Sequence, residues 1–324
     1  MTPLISSLPI LVLHPHARCN CRCVMCDIWK DTTQAEITAE ELAHHLADFE
    51  KLSVKWVVFS GGEPLMHSDL FRLADMLRSR GIRVTLLSTG LLLKRHAEQI
   101  VTRIDDVIVS LDGPPQIHDQ IRRVPRAFSQ LEQGVRSIRG FNRNFPISAR
   151  CTIQKLNYSH LNETVRVAKG LGLNSISFLA ADLTSEAFNR PQPWETYRQA
   201  DIALTLEEVV SLEKEFESVN SDWQRSGFVA EDHTKLFRIV QHFRAQLGLC
   251  QTEAPRCNAP WVSAVLEANG TVRPCFFHRP IGSLKSHTLL EVLNGFEAQQ
   301  FRASLDIANN PVCKRCVCSL NWNC

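Results

Sequence analysis

Between residues 9 and 180, six short runs rich in Val, Ile and Leu alternate with stretches of helical periodicity, and this alternation restricts the chain to very few folds. The runs at 9–15 (PILVLHP), 54–60 (VKWVVFS), 83–88 (RVTLLS), 106–111 (DVIVSL), 147–153 (ISARCTI) and 175–180 (SISFLA) read as strands. Helices fit between them at 38–50, 67–80, 92–103, 128–140 and 159–171. Gly81, Gly140 and Gly172 fall at or just past helix ends, where a left-handed residue is wanted, and Thr38 with Glu41 makes a capping box. Strands separated by helices pair in parallel. The expected class is α/β, and right-handed crossovers wind such units into a barrel or a doubly wound sheet, which periodicity does not distinguish. In either, chemistry gathers at the carboxyl ends of the strands.

The strand ends are where the unusual residues lie. A cysteine cluster follows the first strand, GGEP the second, STG the third and LDGPP the fourth. After residue 181 the pattern changes to an irregular stretch, DLTSEAFNRPQPW, then helical patterns at 205–218 and 232–247. Residues 261–277 suggest a β-hairpin turning at Asn269-Gly270, and 286–305 a helix weakened at Gly295. The division expected is a core over 1–204, a helical linker over 205–249 and a cysteine-bearing domain over 250–324.

A formal net charge of +2 with scattered Lys and Arg gives no broad basic face, so nucleic acid is not expected as a partner. The apolar stretch at 4–13 is too short for a membrane span and has no basic flank or cleavage site, which points to a cytoplasmic protein. In a reducing compartment twelve cysteines favour metal binding or chemistry over disulfides. Four lie at 19–26 and seven at 250–324, with Cys151 alone between, so two separate ligand sites are the simplest account.

Cys19, Cys23 and Cys26 form C-x3-C-x2-C, a loop that can present three thiolates to one inorganic unit. Structural zinc takes four ligands, whereas three cysteines on a four-iron cluster leave one iron open. In the tail, Cys257 and Cys275 flank the hairpin, and Cys313 and Cys316 add a tight pair. Four thiolates suffice for a closed site, and spacing alone leaves zinc and an iron–sulfur cluster both open.

The three-cysteine loop, SGGEP at 60–64, STG at 88–90 and SLDGP at 110–114 together resemble, in order and place, the radical S-adenosylmethionine (SAM) enzymes. That resemblance implies a partial (β/α)6 TIM-like barrel. It also implies a four-iron cluster on Cys19, Cys23 and Cys26 whose open iron chelates SAM, so that an electron splits SAM into methionine and a hydrogen-abstracting 5′-deoxyadenosyl radical. ANGTVRPC and PVCKRC resemble the family's SPASM or shorter twitch extension, here a small hairpin-plus-helix domain. This implies one auxiliary four-iron cluster on Cys257, Cys275, Cys313 and Cys316.

Within that frame Gly61 and Gly62 let backbone approach the SAM ammonium, which their carbonyls or Glu63 accept. Arg122 and Arg150 are the candidates for its carboxylate. Ser110 and Asp112 suit the ribose, Ser88 and Thr89 line the same pocket, and Met25 packs on adenine. Cys21 departs from the family pattern and reads as a spare thiol. The family often has glycines around Arg123 and Arg126. Cys250 is a candidate ligand or hydrogen-atom donor, and Cys318 and Cys324 are possible further ligands.

The activity expected is hydrogen abstraction from a small biosynthetic substrate, leading to oxidation, epimerisation or bond formation, with a reductant such as flavodoxin or ferredoxin. Only 18 residues precede Cys19, which disfavours a built-in leader-binding unit; maturation of a ribosomal peptide is the alternative. A zinc-stabilised binding protein is a third reading, but it leaves GGEP and SLDGP at successive strand ends unexplained.

Overall fold

The structure is a computed structural model, which describes residues 4–190, 192–222 and 226–322. Six parallel strands appear where the alternation places them: β1 Ile10–Leu13, β2 Trp56–Phe59, β3 Arg83–Ser88, β4 Asp106–Ser110, β5 Ile147–Ile153 and β6 Ile176–Ala180. They stand in the sheet in sequence order without reversal. A doubly wound sheet needs a reversal to place helices on both faces, whereas unreversed right-handed crossovers put them all outside, as in a barrel.

The helices between strands are α1 Ala39–Lys51, α2 Leu70–Arg78, α3 Leu93–Arg103, α4 Pro115–Arg122, α5 Ala127–Phe141 and α6 Leu161–Gly170. The Thr38–Glu41 capping box forms at α1, and Gly81 and Gly172 take φ +72°, as expected after α2 and α6. Gly140 instead lies inside α5, which runs one residue further. Helix α4 was not foreseen, because its eight residues are bracketed by Gly-Pro-Pro and an arginine pair and are too few for a periodic signal. Along β5, Ile147, Ala149, Cys151 and Ile153 are buried in the common core under the helices. The intervening Ser148, Arg150 and Thr152 are half-buried and face the barrel interior.

The remaining helices are α7 Thr196–Ala200, α8 Leu206–Asp222, α9 His233–Gln246, α10 Ala259–Val262, α11 Leu289–Asn294, α12 Phe296–Ser304 and α13 Pro311–Lys314. Segment 205–249 is helical and packs on the barrel. Val209, Leu212 and Phe216 of α8 and Leu236, Val240 and Phe243 of α9 join the barrel core, and Val229 bridges Ile176 at the edge of β6. The expected hairpin is present, with β7 Ser263–Leu266 antiparallel to β8 Thr271–Arg273 and a two-residue β9 at Gly282–Ser283. Strand β7 also pairs in parallel with β1, Ile10 opposite Ser263, so the tail continues the barrel sheet to nine strands. Gly295 separates α11 from α12 with an extended backbone.

Candidate functional site

The cysteine loop leaves β1 and is moored on two sides. Arg22 and Val24 donate their amides to the carbonyls of Arg122 and Ile121 at the end of α4, at 3.2 and 3.0 Å. On the other side the Glu63 amide donates to the Arg18 carbonyl at 2.9 Å. A Cβ on Gly62 would sit 1.9 Å from that same carbonyl oxygen, and Gly61 holds φ +94° against His14 and the His16 carbonyl. The glycines therefore make room for the cysteine loop itself.

Glu63 is fully buried and accepts from the Leu65 amide, the Ser88 hydroxyl and both the amide and hydroxyl of Thr89, at 2.6 to 3.2 Å. Burial raises its pKa despite these donors. Its carboxylate ties the loop after β2 to the end of β3. Ser88, which donates to Glu63 and accepts from Gly90, is likewise engaged. Thr89 spends its hydroxyl on Glu63 and on Asn20 of the cysteine loop.

Asp112 and Arg122 also find each other. Their ion pair measures 2.5 Å with both side chains at least nine-tenths buried, and Asp112 accepts from the Thr152 amide at 2.8 Å. Burial raises the Asp112 pKa, opposed by the guanidinium. The guanidinium further donates to Cys23 Sγ at 3.4 Å. The ribose role expected of Asp112 and the carboxylate role expected of Arg122 thus both meet a prior engagement. Ser110, half-buried at the end of β4, stands in register with Arg150. Arg123 and Arg126 adopt left-handed φ of 52° and 59°, the conformation for which glycine is the usual choice.

Cys19, Cys21, Cys23 and Cys26 gather with Val24, Met25 and Ile121 in an apolar cluster separate from the main core. Burial pushes the Cys19 and Cys26 thiols up to about 12. Cys23 is lowered by the hydrogen bond from Cys21 and by Arg122, and Cys21 is raised in return. Cys21 thus hydrogen-bonds the central member of the triad.

The roof over this loop is the stretch that sequence patterning read only as irregular. Ala181, Leu183, Trp194 and Ile202 close the same apolar cluster. Trp194 Nε1 donates to Asp27 Oδ2 at 2.6 Å, and Arg198 and Lys30 pair with Oδ1 at 3.1 and 2.9 Å. Arg190 lies 4.2 Å from the Trp194 ring and pairs with Asp182 at 3.0 Å. The one cue available was Asp27 directly after Cys26, with Trp194 and two arginines 163 or more residues away.

In the tail, Cys257, Cys275, Cys313 and Cys316 line one cavity with Phe277 and His278. Burial pushes the Cys275 and Cys313 thiols up to about 11 and raises Cys316. His278 Nε2 lies 3.4 Å from Cys313 Sγ. Among the described residues no three His, Cys, Asp or Glu side chains close tightly enough to hold a single metal ion. Both thiol groups nevertheless fit a polynuclear unit, because each gathers several buried thiols, which give up their protons to a metal rather than to water.

Cys250 stands apart from both groups, its thiol directed to Gln241 Oε1 at 3.1 Å, and Cys318 is exposed. Cys324 lies outside the described residues. Two larger cavities border Cys316. One, about 390 Å³, lies between the roof and the tail, where Glu186 pairs with Arg279 at 3.6 Å. The other, about 160 Å³, contains Arg150 in its wall but none of the three loop cysteines. No helix among the described residues is long and apolar enough to cross a membrane.

Residues 13–168 match the family model described as the radical SAM superfamily, and residues 257–317 match the SPASM iron–sulfur cluster-binding domain. An AdoMet-dependent heme synthase of Methanosarcina barkeri is 30% identical over 161 residues, covering 48% of this chain and 46% of that protein. A pre-heme d1 synthase of Dinoroseobacter shibae is 30% identical over 170 residues, 51% and 42% respectively. The chain thus spans less than half the length of these curated relatives. SuiB of Streptococcus suis bound to S-adenosylmethionine superposes with TM-score 0.69 at 15% identity, covering 98% of this chain and 74% of that one. The anSMEcpe structure with bound AdoMet gives 0.70 at 18% identity, 95% and 86%. At such identities the likeness is one of fold, and it is that of the partial TIM-like barrel.

Proposed function

The chain is a radical SAM enzyme with a C-terminal SPASM-type iron–sulfur domain, and we propose that it oxidises or rearranges a small biosynthetic substrate by hydrogen abstraction. The observation that carries this reading is the pair of thiol groups, three on the β1 loop and four around the tail cavity, joined through one continuous sheet by β1 and β7.

In this reading Cys19, Cys23 and Cys26 hold the SAM-binding four-iron cluster, and Cys257, Cys275, Cys313 and Cys316 an auxiliary one. Bound there, the first cluster supplies the electron that cleaves SAM to methionine and a 5′-deoxyadenosyl radical. The protein's part is positional. Glu63, Ser88 and Thr89 lock two strand ends together, Gly61 and Gly62 seat the cysteine loop, and Met25 would offer an apolar surface to adenine. Trp194, Leu183 and Ile202 keep water from the loop, which protects a radical from quenching. The core, connecting helices and cluster domain divide as 1–204, 205–249 and 250–324.

Relatives named as heme, pre-heme d1 and Fe-coproporphyrin III synthases favour a small molecule. The peptide reading draws on fold likeness to SuiB and anSMEcpe, both seen with peptides. The test is iron and acid-labile sulfide per chain after anaerobic reconstitution, with 5′-deoxyadenosine assayed in the same sample under reductant. About eight irons with cleavage are expected for two four-iron clusters. Zinc, no sulfide and no cleavage would overturn the reading.

A further inference from the structure

The wall of the cavity beside Cys316 carries more cations than carboxylates. Arg150 enters from the barrel interior, Lys235 and Arg238 from α9, and Lys314 from α13, against Glu231 and Glu253. Four cations less two carboxylates leave +2 if both acids are ionised. Burial raises the pKa of Glu231, which also accepts from the Phe178 amide at 2.9 Å, so the local balance leans further positive.

The four cations have few fixed partners. Among the described residues no carboxylate lies within 4 Å of Arg150, Arg238 or Lys314. Arg150 Nε reaches Ser177 Oγ only at 3.4 Å. Arg238 spends one donor on the Cys316 carbonyl. A guanidinium carries five donors, and a half-buried one without an anion is held against its own desolvation cost. The opposite large cavity differs: its Glu186–Arg279 and Asp182–Arg190 pairs already neutralise one another.

Helix N-termini are the usual phosphate cradles. Both that border this cavity are spoken for: Asp232 caps α9 and Asn310 caps α13. Separate guanidinium and ammonium groups on three elements instead suit planar carboxylates spread over one molecule.

We propose that this cavity is the substrate site and that it selects a substrate bearing at least two carboxylates, held by Arg150, Lys235, Arg238 and Lys314 between the barrel interior and the Cys316 wall. The proposal rests on the enzymatic reading above and deepens it. It reassigns Arg150 from SAM to substrate, and it gives the tail a selective role that cluster binding alone does not.

The test is titration calorimetry of the anaerobically reconstituted full chain, in the presence of SAM, with propane-1,2,3-tricarboxylate. Its neutral triamide and fructose 1,6-bisphosphate are the comparison ligands. Saturable tricarboxylate binding that weakens with salt is expected, with no heat from the triamide. Arg238→Met and Lys235→Gln should each weaken binding by about tenfold or less, Arg238→Met more, with their iron content unchanged. Lys235 is exposed in the first turn of α9 and bonds neither cysteine group, so its variant guards against a folding failure of the first.

Absence of tricarboxylate binding in protein that cleaves SAM would overturn the proposal while leaving the enzymatic reading standing. Binding unchanged in both variants would overturn it too, and tighter binding of the bisphosphate would overturn the carboxylate assignment. Loss of SAM cleavage in the unaltered chain would instead count against the enzymatic reading.

Discussion

The Arg122 guanidinium bridges Cys23 Sγ at 3.4 Å and the Asp112 carboxylate at 2.5 Å, so a buried cation stands directly beside the central thiol of the proposed cluster loop. A cluster gains negative charge on reduction, and a cation at its ligand sulfur favours the reduced form. Arg122→Met should therefore shift the midpoint potential of the SAM-binding cluster to more negative values, read by EPR-monitored redox titration. It also leaves Asp112 buried without its partner, at a cost of about 3–5 kcal/mol by analogy with other broken buried pairs. Arg122→Met combined with Asp112→Asn should recover much of that stability but not the potential. An unchanged potential in folded, iron-loaded protein would refute the electrostatic role.

Gly62 faces a different constraint. A methyl group there would meet the Arg18 carbonyl at 1.9 Å, and neither backbone can retreat without releasing the loop. Gly62→Ala should therefore fail to load the first cluster while keeping the tail cluster, a loss of about half the iron. Full iron content and normal 5′-deoxyadenosine formation would show that the loop can move without penalty.

The two thiol groups should separate cleanly by substitution. Cys23→Ala is expected to abolish SAM cleavage, because two remaining thiols cannot hold the cluster with one open iron. Cys313→Ala should lose about half the iron and keep cleavage at least partly intact. Turnover by a folded Cys23→Ala protein would defeat the ligand assignment, and loss of all iron from Cys313→Ala would mean the two sites are not independent.

Much of the barrel was legible because strand and helix periods differ and each β-rich run is bounded by turn residues. Residues such as Cys23 and Gly62 stood out because thiols at ligand spacing and paired glycines at a strand end have few other uses. What escaped were relationships across the chain. Trp194 on Asp27 joins residues 167 apart, and no local pattern encodes it. The β1–β7 pairing hid because Ser263–Leu266 reads equally well as one arm of an isolated hairpin. The contacts of Glu63 with Ser88 and Thr89, and of Asp112 with Arg122, also escaped, since sequence shows a side chain's chemistry and not which neighbour meets it.

Trp194 itself offers a further test. Its ring lies against Arg190 and Arg198 at 4.2 and 4.3 Å while its indole N–H holds Asp27. Trp194→Ala removes the largest apolar piece of the roof and should cost about 3–5 kcal/mol. It should also speed bleaching of the cluster absorbance in air, because water and oxygen gain access to the loop. Trp194→Phe keeps the ring and loses the bond to Asp27, so it should bleach at an intermediate rate. Equal bleaching rates in all three proteins would remove the roof from the account.

The buried histidines set a pH dependence with a definite sign. Burial lowers His14, His16 and His242 from 6.5 to about 4, and His118 to about 3. One ring nitrogen in each of His14, His16 and His118 has no hydrogen-bond partner, so protonation would place unsolvated charge in the interior. In the unfolded chain the same groups take up protons near pH 6.5. Between about pH 6.5 and 4 the unfolded state binds more protons than the native one, so stability falls as the pH is lowered through that window. Glu63 and Asp112, whose pKa values burial raises, act in the opposite sense. The expected outcome is a melting temperature of the metal-free chain that declines steadily from pH 7 to about 4, with a shallower slope in His118→Asn. A melting temperature that stays flat or rises on acidification would mean that the carboxyl groups, and not the histidines, govern the acid limb.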